Sequence, residues 1–189
     1  MQTRLFLTGP SGCGKSTMIL QALGDNILRA GGFVTERQRD ENGNILGFAL
    51  TSADGRCPHE RFLDFTGDRP QMDLQVFNRI AEDYLQFSNN CPFAVMDELG
   101  GVELLDDRFV DALAVFLAGH QPCIGVMKGP GPAGKLGEMM GLTVRYELAR
   151  RALYEHLRND PDTLLIETTG FDDAHALEQI RRWVDEYVK

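Results

Sequence analysis

The chain has 189 residues, of which 43% are hydrophobic, 25% charged and 8% aromatic, which excludes a disordered or fibrous chain. The length predicts a single domain over 1–189, with a core that buries about 70% of the unfolded surface. With 19 basic and 28 acidic side chains the net charge is −9, which excludes bulk electrostatic binding to nucleic acid.

The charge is uneven. Residues 61–120 carry four basic and eleven acidic side chains, whereas residues 128–158 carry six basic and three acidic, a positive island. Cys13, Cys57, Cys91 and Cys123 are scattered without a CxxC, which argues against a zinc knuckle or a disulfide scaffold. The first residues lack the apolar core of a signal peptide, and no apolar run approaches about 18 residues. A cytoplasmic protein with no membrane or nucleic-acid partner is expected.

Residues 3–8 are a short apolar run that predicts a buried strand, and residues 16–29 carry Met18, Ile19, Ala22, Leu23 and Ile27 at helical spacing up to Gly31-Gly32. Runs 33–39 and 45–51 flank Asp40-Glu41-Asn42-Gly43, a hairpin signal, and 60–65 predicts a third strand. Phe77, Ile80, Ala81, Tyr84 and Leu85 predict an amphipathic helix over 73–87. Strands over 93–96, 122–127 and 163–167 alternate with helices over 107–118, 145–158 and 173–188. The alternation predicts an α/β sandwich whose central sheet is mostly parallel, plus an antiparallel hairpin.

One segment carries chemistry by itself. Gly9-Pro10-Ser11-Gly12-Cys13-Gly14-Lys15-Ser16-Thr17 fits GxxxxGK[ST] between a predicted strand and a predicted helix. The glycines let successive backbone N–H groups converge on one anion, and the helix adds the positive end of its dipole. Lys15 places a charge on the β- and γ-phosphates, and the Ser16 hydroxyl completes a Mg²⁺ shell. The whole stretch 9–17 is expected to bind nucleotide.

A phosphate cradle needs a carboxylate on a neighbouring strand. Phe93-Ala94-Val95-Met96-Asp97-Glu98 supplies an apolar strand that ends in two acids. Asp97 is expected to serve Mg²⁺ with Ser16, and Glu98 to polarise the attacking water as general base.

Three stretches resemble a known family, the small P-loop nucleoside triphosphatases first described from thermophiles, with a cancer-related member in animals. They are the loop 9–17; Gly32-Phe33-Val34-Thr35-Glu36-Arg37-Gln38-Arg39 followed by Gly47-Phe48; and Met96-Asp97-Glu98-Leu99-Gly100-Gly101-Val102-Glu103-Leu104. The resemblance covers about residues 3–127. It implies a RecA-like three-layer P-loop fold and slow, broad hydrolysis of ATP, GTP and other nucleoside triphosphates with magnesium. It also implies that Arg39 reaches the γ-phosphate as an internal arginine finger; the competing reading of Arg37 and Arg39 is a charged edge strand. After the last strand the family's Asn-Arg pair is replaced by Thr168-Thr169-Gly170-Phe171-Asp172.

Lys128 ends a strand beside the expected ligand crevice. Glycines at 129, 131, 134, 137 and 141, with Lys135, Arg145, Arg150 and Arg151, suggest a lid-like insertion over 129–149; a loop leading into a solvated basic helix is the plainer alternative. Glu103 is either a supporting carboxylate or a helix N-terminal acid, and Trp183 is core or interface. The leading expectation is a Mg²⁺-dependent nucleoside triphosphatase acting through Lys15, Glu98 and Arg39. The alternatives are a nucleotide or small-molecule kinase, and a nucleotide-switched binding module with slow hydrolysis.

Overall fold

The computed structural model describes residues 2–80, 85, 90–129, 140–142 and 144–189. Its frame is an eight-stranded sheet: β1 (Arg4–Thr8), β2 (Gly31–Arg39), β3 (Ile45–Ser52), β4 (Glu60–Asp64), β5 (Gln71–Met72), β6 (Ala94–Leu99), β7 (Cys123–Met127) and β8 (Thr163–Glu167). The spatial order is β5-β4-β3-β2-β6-β7-β1-β8. From β2 to β8 neighbouring strands are parallel, and from β2 to β5 they are antiparallel.

Among the described residues five α-helices cover the sheet: α1 (Lys15–Leu23), α2 (Gln75–Ile80), α3 (Asp107–Ala118), α4 (Val144–Asn159) and α5 (Ala174–Tyr187). Strand residues alternate between the faces, and two apolar clusters result. Leu5 and Leu7 of β1 pack with Met18 and Ile19 of α1 and Trp183 of α5. Phe6, between them, faces Phe77, Phe109 and Leu157 of α2, α3 and α4. The fold is therefore three layers deep, with helices on both faces of the sheet.

Local chemistry sets the helix limits. Asp106 caps α3 by accepting from the Phe109 N–H at 2.8 Å, and Asp173 caps α5 by accepting from the Ala176 N–H at 3.0 Å. The helix expected over 16–29 stops early, at Gly24 (φ 51°), and continues as a 3₁₀ stretch over Gly24–Arg29. Only glycine adopts that backbone cheaply, so the α-helical ladder breaks there despite the apolar spacing. The two-residue strand β5 was too short to register as a pattern. The expected helix over 73–87 is described through Ile80; most of its remainder lies outside the described residues. No helix among the described residues is long and apolar enough to cross a membrane.

Arg4 looked like an ordinary position at the start of β1. It is 2% exposed, and its guanidinium pairs with Asp160 at 2.7 Å and donates to the Gly119 carbonyl at 3.0 Å. Trp183 belongs to the core, and its indole N–H donates to the Thr3 carbonyl at 3.1 Å. These contacts tie β1 to its neighbours at the end of the sheet away from the glycine loop.

Candidate active site

The loop between β1 and α1 opens at the carboxyl edge of the sheet. Gly9, Gly12 and Gly14 all have positive φ, at 137°, 78° and 94°. Gly14 sits at the N-cap of α1 with no side-chain cap and no acid in the first helical turn, so the first amides of α1 remain available to an anion. A Cβ on Gly9 would stand 2.2 Å from the Thr168 carbonyl oxygen; the loop after β8 is pressed against the phosphate loop. Lys15 bends back, its Nζ donating to the carbonyls of Gly9 at 2.9 Å and Pro10 at 2.6 Å and reaching the Cys13 Sγ at 3.7 Å.

Asp97 comes from β6, with β7 standing between it and β1. Two strand spacings amount to about 10 Å, so the first turn of α1 must lean across β7 for the two motifs to meet. They do meet: the Ser16 hydroxyl donates to Asp97 Oδ1 at 2.6 Å. Thr35 on β2 fixes the carboxylate from the other side. Its hydroxyl donates to the Asp97 carbonyl at 3.1 Å, and its N–H lies 3.4 Å from Oδ2. Burial pushes the Asp97 carboxyl up to about 6, against the Ser16 hydrogen bond and with help from the Glu98 charge. A dication between Ser16 and Asp97 would reverse that preference.

The backbone at Glu98 is strained in a useful way. The β6–β7 register runs Met96↔Gly125 and then Leu99↔Met127, so β6 carries one extra residue at Asp97–Glu98. Glu98 is the one non-glycine residue with positive φ (60°) among the described residues. Regular alternation would send consecutive side chains to opposite faces; the bulge re-aims this pair so that Asp97 meets Ser16 while Glu98 lines the main cavity. Glu98 Oε2 pairs with Lys128 Nζ at 3.3 Å.

Glu103 proves to be a brace for this turn. Its Oε1 accepts the N–H groups of Gly100 at 2.6 Å and Gly101 at 2.7 Å, and the side chain is buried. Burial raises its carboxyl, opposed by Lys128 and those amides. A Cβ on Gly101 would lie 2.6 Å from Glu103 Oε2 and 2.9 Å from Lys128 Nζ, so a larger residue there would displace the ends of those two side chains. For Lys128, burial works against the charge, but Glu98, Glu103 and Tyr146 outweigh it and hold the ammonium above its ordinary value.

The glycine loop, Glu98 and Lys128 line one cavity of about 790 Å³, while Asp97 and Ser16 share a small pocket that also touches Val34 and Gly125. Gly9, Ser11, Gly12, Gly14, Lys15, Ser16 and Thr17 wall one end, and Glu98, Gly101 and Lys128 stand midway. Arg37, Phe48, Phe62, Tyr146 and Arg150 wall the rest. Arg39 is not brought into it: its guanidinium is exposed and donates to the Gly43 carbonyl at 2.5 Å, inside its own hairpin. The register of β2 against β3 shifts between Gln38 and Arg39, where β3 carries one extra residue, Leu46, so Arg39 stands opposite Ile45 at the hairpin end. Of the other island residues, Arg145 pairs with Asp107 on α3 and Arg151 is exposed, while Lys135 and the glycines at 131, 134 and 137 lie outside the described residues. Sequence reasoning missed Thr35 as a partner of Asp97, and Tyr146 as a wall of the cavity; neither belongs to a motif that names its role.

An anion-binding glycine loop, a helix amino terminus and a carboxylate on the next-but-one strand define a P-loop nucleotide-binding protein. The chain belongs to the NTPase family, whose profile matches residues 4–167. It is 30% identical over 132 residues to the nucleoside-triphosphatase THEP1 of Methanosarcina barkeri, covering 66% of this chain and 75% of that protein. It is 29% identical over 203 aligned positions to the cancer-related nucleoside-triphosphatase of Homo sapiens, covering 95% of each. The solution structure of a human cancer-related nucleoside triphosphatase superposes with a TM-score of 0.66 at 24% identity, covering 98% of this chain and 99% of the other. The crystal structure of THEP1 from Aquifex aeolicus gives 0.63 at 21%, covering 94% and 96%. The expected P-loop fold and family both stand.

Proposed function

We propose that the protein hydrolyses nucleoside 5′-triphosphates with Mg²⁺, releasing the diphosphate and phosphate. The observation that carries this reading is the 2.6 Å contact between Ser16 and Asp97, with Glu98 facing the adjoining cavity. The hydroxyl and the carboxylate are hard oxygen donors, and no cluster of three or more His, Cys, Asp or Glu side chains accompanies them among the described residues. That suits Mg²⁺, which takes one or two protein oxygens and fills its shell with phosphate and water. Bound there, the ion would neutralise charge on the β- and γ-phosphates.

The chain's own residues do the rest. The loop amides and the α1 terminus hold the phosphates, and Lys15 exchanges its carbonyl partners for phosphate oxygens. Glu98 accepts the proton of a water that attacks the γ-phosphorus. The bond from that phosphorus to the bridging oxygen breaks, and the diphosphate departs. The bulge fixes where the Glu98 carboxylate points, and Lys128 and the Glu103 brace hold that turn in place.

The same geometry orients the nucleoside. Asp97 and Ser16 put the γ end towards β6, so the nucleoside end points towards β8. The Phe171 ring waits there, against Gly14: a Cβ on Gly14 would fall 2.3 Å from it. Phe171 is 49% exposed and so accessible to a ligand. A base stacked on this ring is held by its face and not by its edge, and every base has a face. Broad base tolerance follows. Phosphate release measured with ATP, GTP, CTP and UTP, with and without Mg²⁺, tests the reading. Release from all four that stops without metal is expected; release only when a phosphoryl acceptor is added would overturn it.

A further inference from the structure

The cavity is longer than its phosphate loop requires. Beyond Phe33↔Met96, the last pair between β2 and β6, residues 34–39 of β2 run on with β3 as an overhanging ribbon. Its register lines up Arg37↔Phe48, and Phe48↔Leu63 continues the row onto β4. Directly opposed residues of antiparallel strands share a face, so these three side chains stand side by side. Phe48 is four strands from β1 and Leu63 five, about 19 and 24 Å along the sheet at the usual strand spacing. A triphosphate anchored on residues 9–17, with its γ end at Asp97, stops short of them. Its nucleoside leaves in the opposite direction, towards β8.

This far end has its own chemistry. Ile45, Phe48, Phe62, Leu63 and Leu142 give it apolar walls, and Ile45 is 39% exposed. Cations edge that apolar surface: Arg37 lies over the Phe48 ring at 5.6 Å, and Arg150 over the Tyr146 ring at 5.4 Å. Both guanidinium-bearing residues, and Tyr146, line the cavity. The nearest acid lining it, Glu98, is paired with Lys128. In a protein of net charge −9, a pocket edged by two arginines is a local inversion. Apolar walls with a few convergent polar groups are what a small-molecule site looks like.

We propose that this end of the cavity binds a second small molecule alongside the nucleotide: an organic anion, with an aromatic or branched apolar body and one carboxylate, sulfonate or phosphate group. The body lies on Phe48, Phe62 and Leu63, and the acidic group meets Arg37 and Arg150. The occupant borders Glu98 on the side away from the γ-phosphate. The proposal rests on the triphosphate orientation given above.

The aryl sulfonate 1-anilinonaphthalene-8-sulfonate, whose fluorescence rises in apolar sites, serves as the probe. The full chain is first loaded with Mg²⁺ and a non-hydrolysable triphosphate analogue. Saturable probe binding to this loaded protein is expected. Arg37→Gln and Ile45→Glu each weaken it by about tenfold, the scale of one lost charge-assisted contact or one added repulsion. Ile45→Glu keeps wild-type affinity for a fluorescent nucleotide, which shows that the variant is folded. Displacement of the probe in step with nucleotide binding would overturn the proposal, as would wild-type probe affinity in both variants. Fluorescent-nucleotide binding to Lys15→Ala is scored separately: unchanged affinity there would sink the phosphate-loop reading, whatever the probe does.

Discussion

The two halves of the sheet solve different problems. The parallel half, β2-β6-β7-β1-β8, is covered by helices on both faces, and β1 and β7 are buried at every position. Its strand ends are therefore fixed points, and the glycine loop, Asp97, Glu98 and Lys128 all hang from them. The antiparallel half, β3-β4-β5 with the outer part of β2, is partly solvated: Glu36, Arg37, Arg39 and Ile45 are exposed. It holds its shape through an aromatic row, Phe48, Phe62, Phe77 and Phe109, with ring centroids 5.1–6.4 Å apart. The proposed chemistry hangs from the half whose positions are over-determined, and the proposed second ligand lies on the open half.

The separation is easiest to break at the phosphate loop. Lys15→Ala and Glu98→Gln should each lower phosphate release by about 10²–10³, since each removes one electrostatic or proton-accepting group. Unchanged turnover in Glu98→Gln would remove it as the base.

A matched pair of glycine substitutions sharpens the contrast. A Cβ on Gly125 would stand 2.1 Å from the Met96 carbonyl oxygen, and one on Gly47 would stand 2.1 Å from the Leu63 carbonyl oxygen. Gly125→Ala and Gly47→Ala should each cost about 1–3 kcal/mol in urea unfolding. Only Gly125→Ala, which pushes β7 off β6, should also lower turnover of the folded protein. Equal loss in both would mean that the halves are not independent.

Phe171→Ala is expected to raise KM for all four nucleotides by about tenfold, as loss of one stacking face implies, with kcat little changed. A change confined to one base would point to edge recognition instead.

The smallest effect concerns the Arg4–Asp160 pair at the opposite end of the parallel half. Burial raises the Asp160 carboxyl, but the Thr163 hydroxyl and the Arg4 guanidinium outweigh it, and the net shift is downward from 3.8. A depressed carboxylate stabilises the fold above its unfolded value and loses that contribution as pH falls through the folded one. Unfolding free energy should drop by about 1 kcal/mol below about pH 4, and Asp160→Asn should lack that drop. An identical acid profile in the variant would remove the pair from the account.

Much of the parallel half was legible, because its signals are local. The strand over 163–167 and the helix over 107–118 match β8 and α3, since an apolar run and an apolar face of Phe109, Val110, Leu113 and Leu117 need no distant information. The phosphate loop was legible because its glycines, Lys15 and Ser16 are contiguous. What escaped depends on register. Nothing local says that β6 gains a residue at Asp97–Glu98, that β3 gains one opposite Arg39, or that Arg39 bonds to Gly43 in its own hairpin while Arg37 lines the cavity. From the sequence Glu103 reads equally as a supporting carboxylate or a helix N-terminal acid; its hold on two glycine amides comes from how the chain turns after β6.

The left-handed backbone at Glu98 carries a consequence for anyone engineering this protein. Glycine or asparagine would sit there more comfortably than glutamate. Selection for heat resistance alone will drift towards such replacements, and, on the proposed role of Glu98 as base, the hardier molecules it yields will be poorer catalysts. Durability and speed compete here at a single peptide unit.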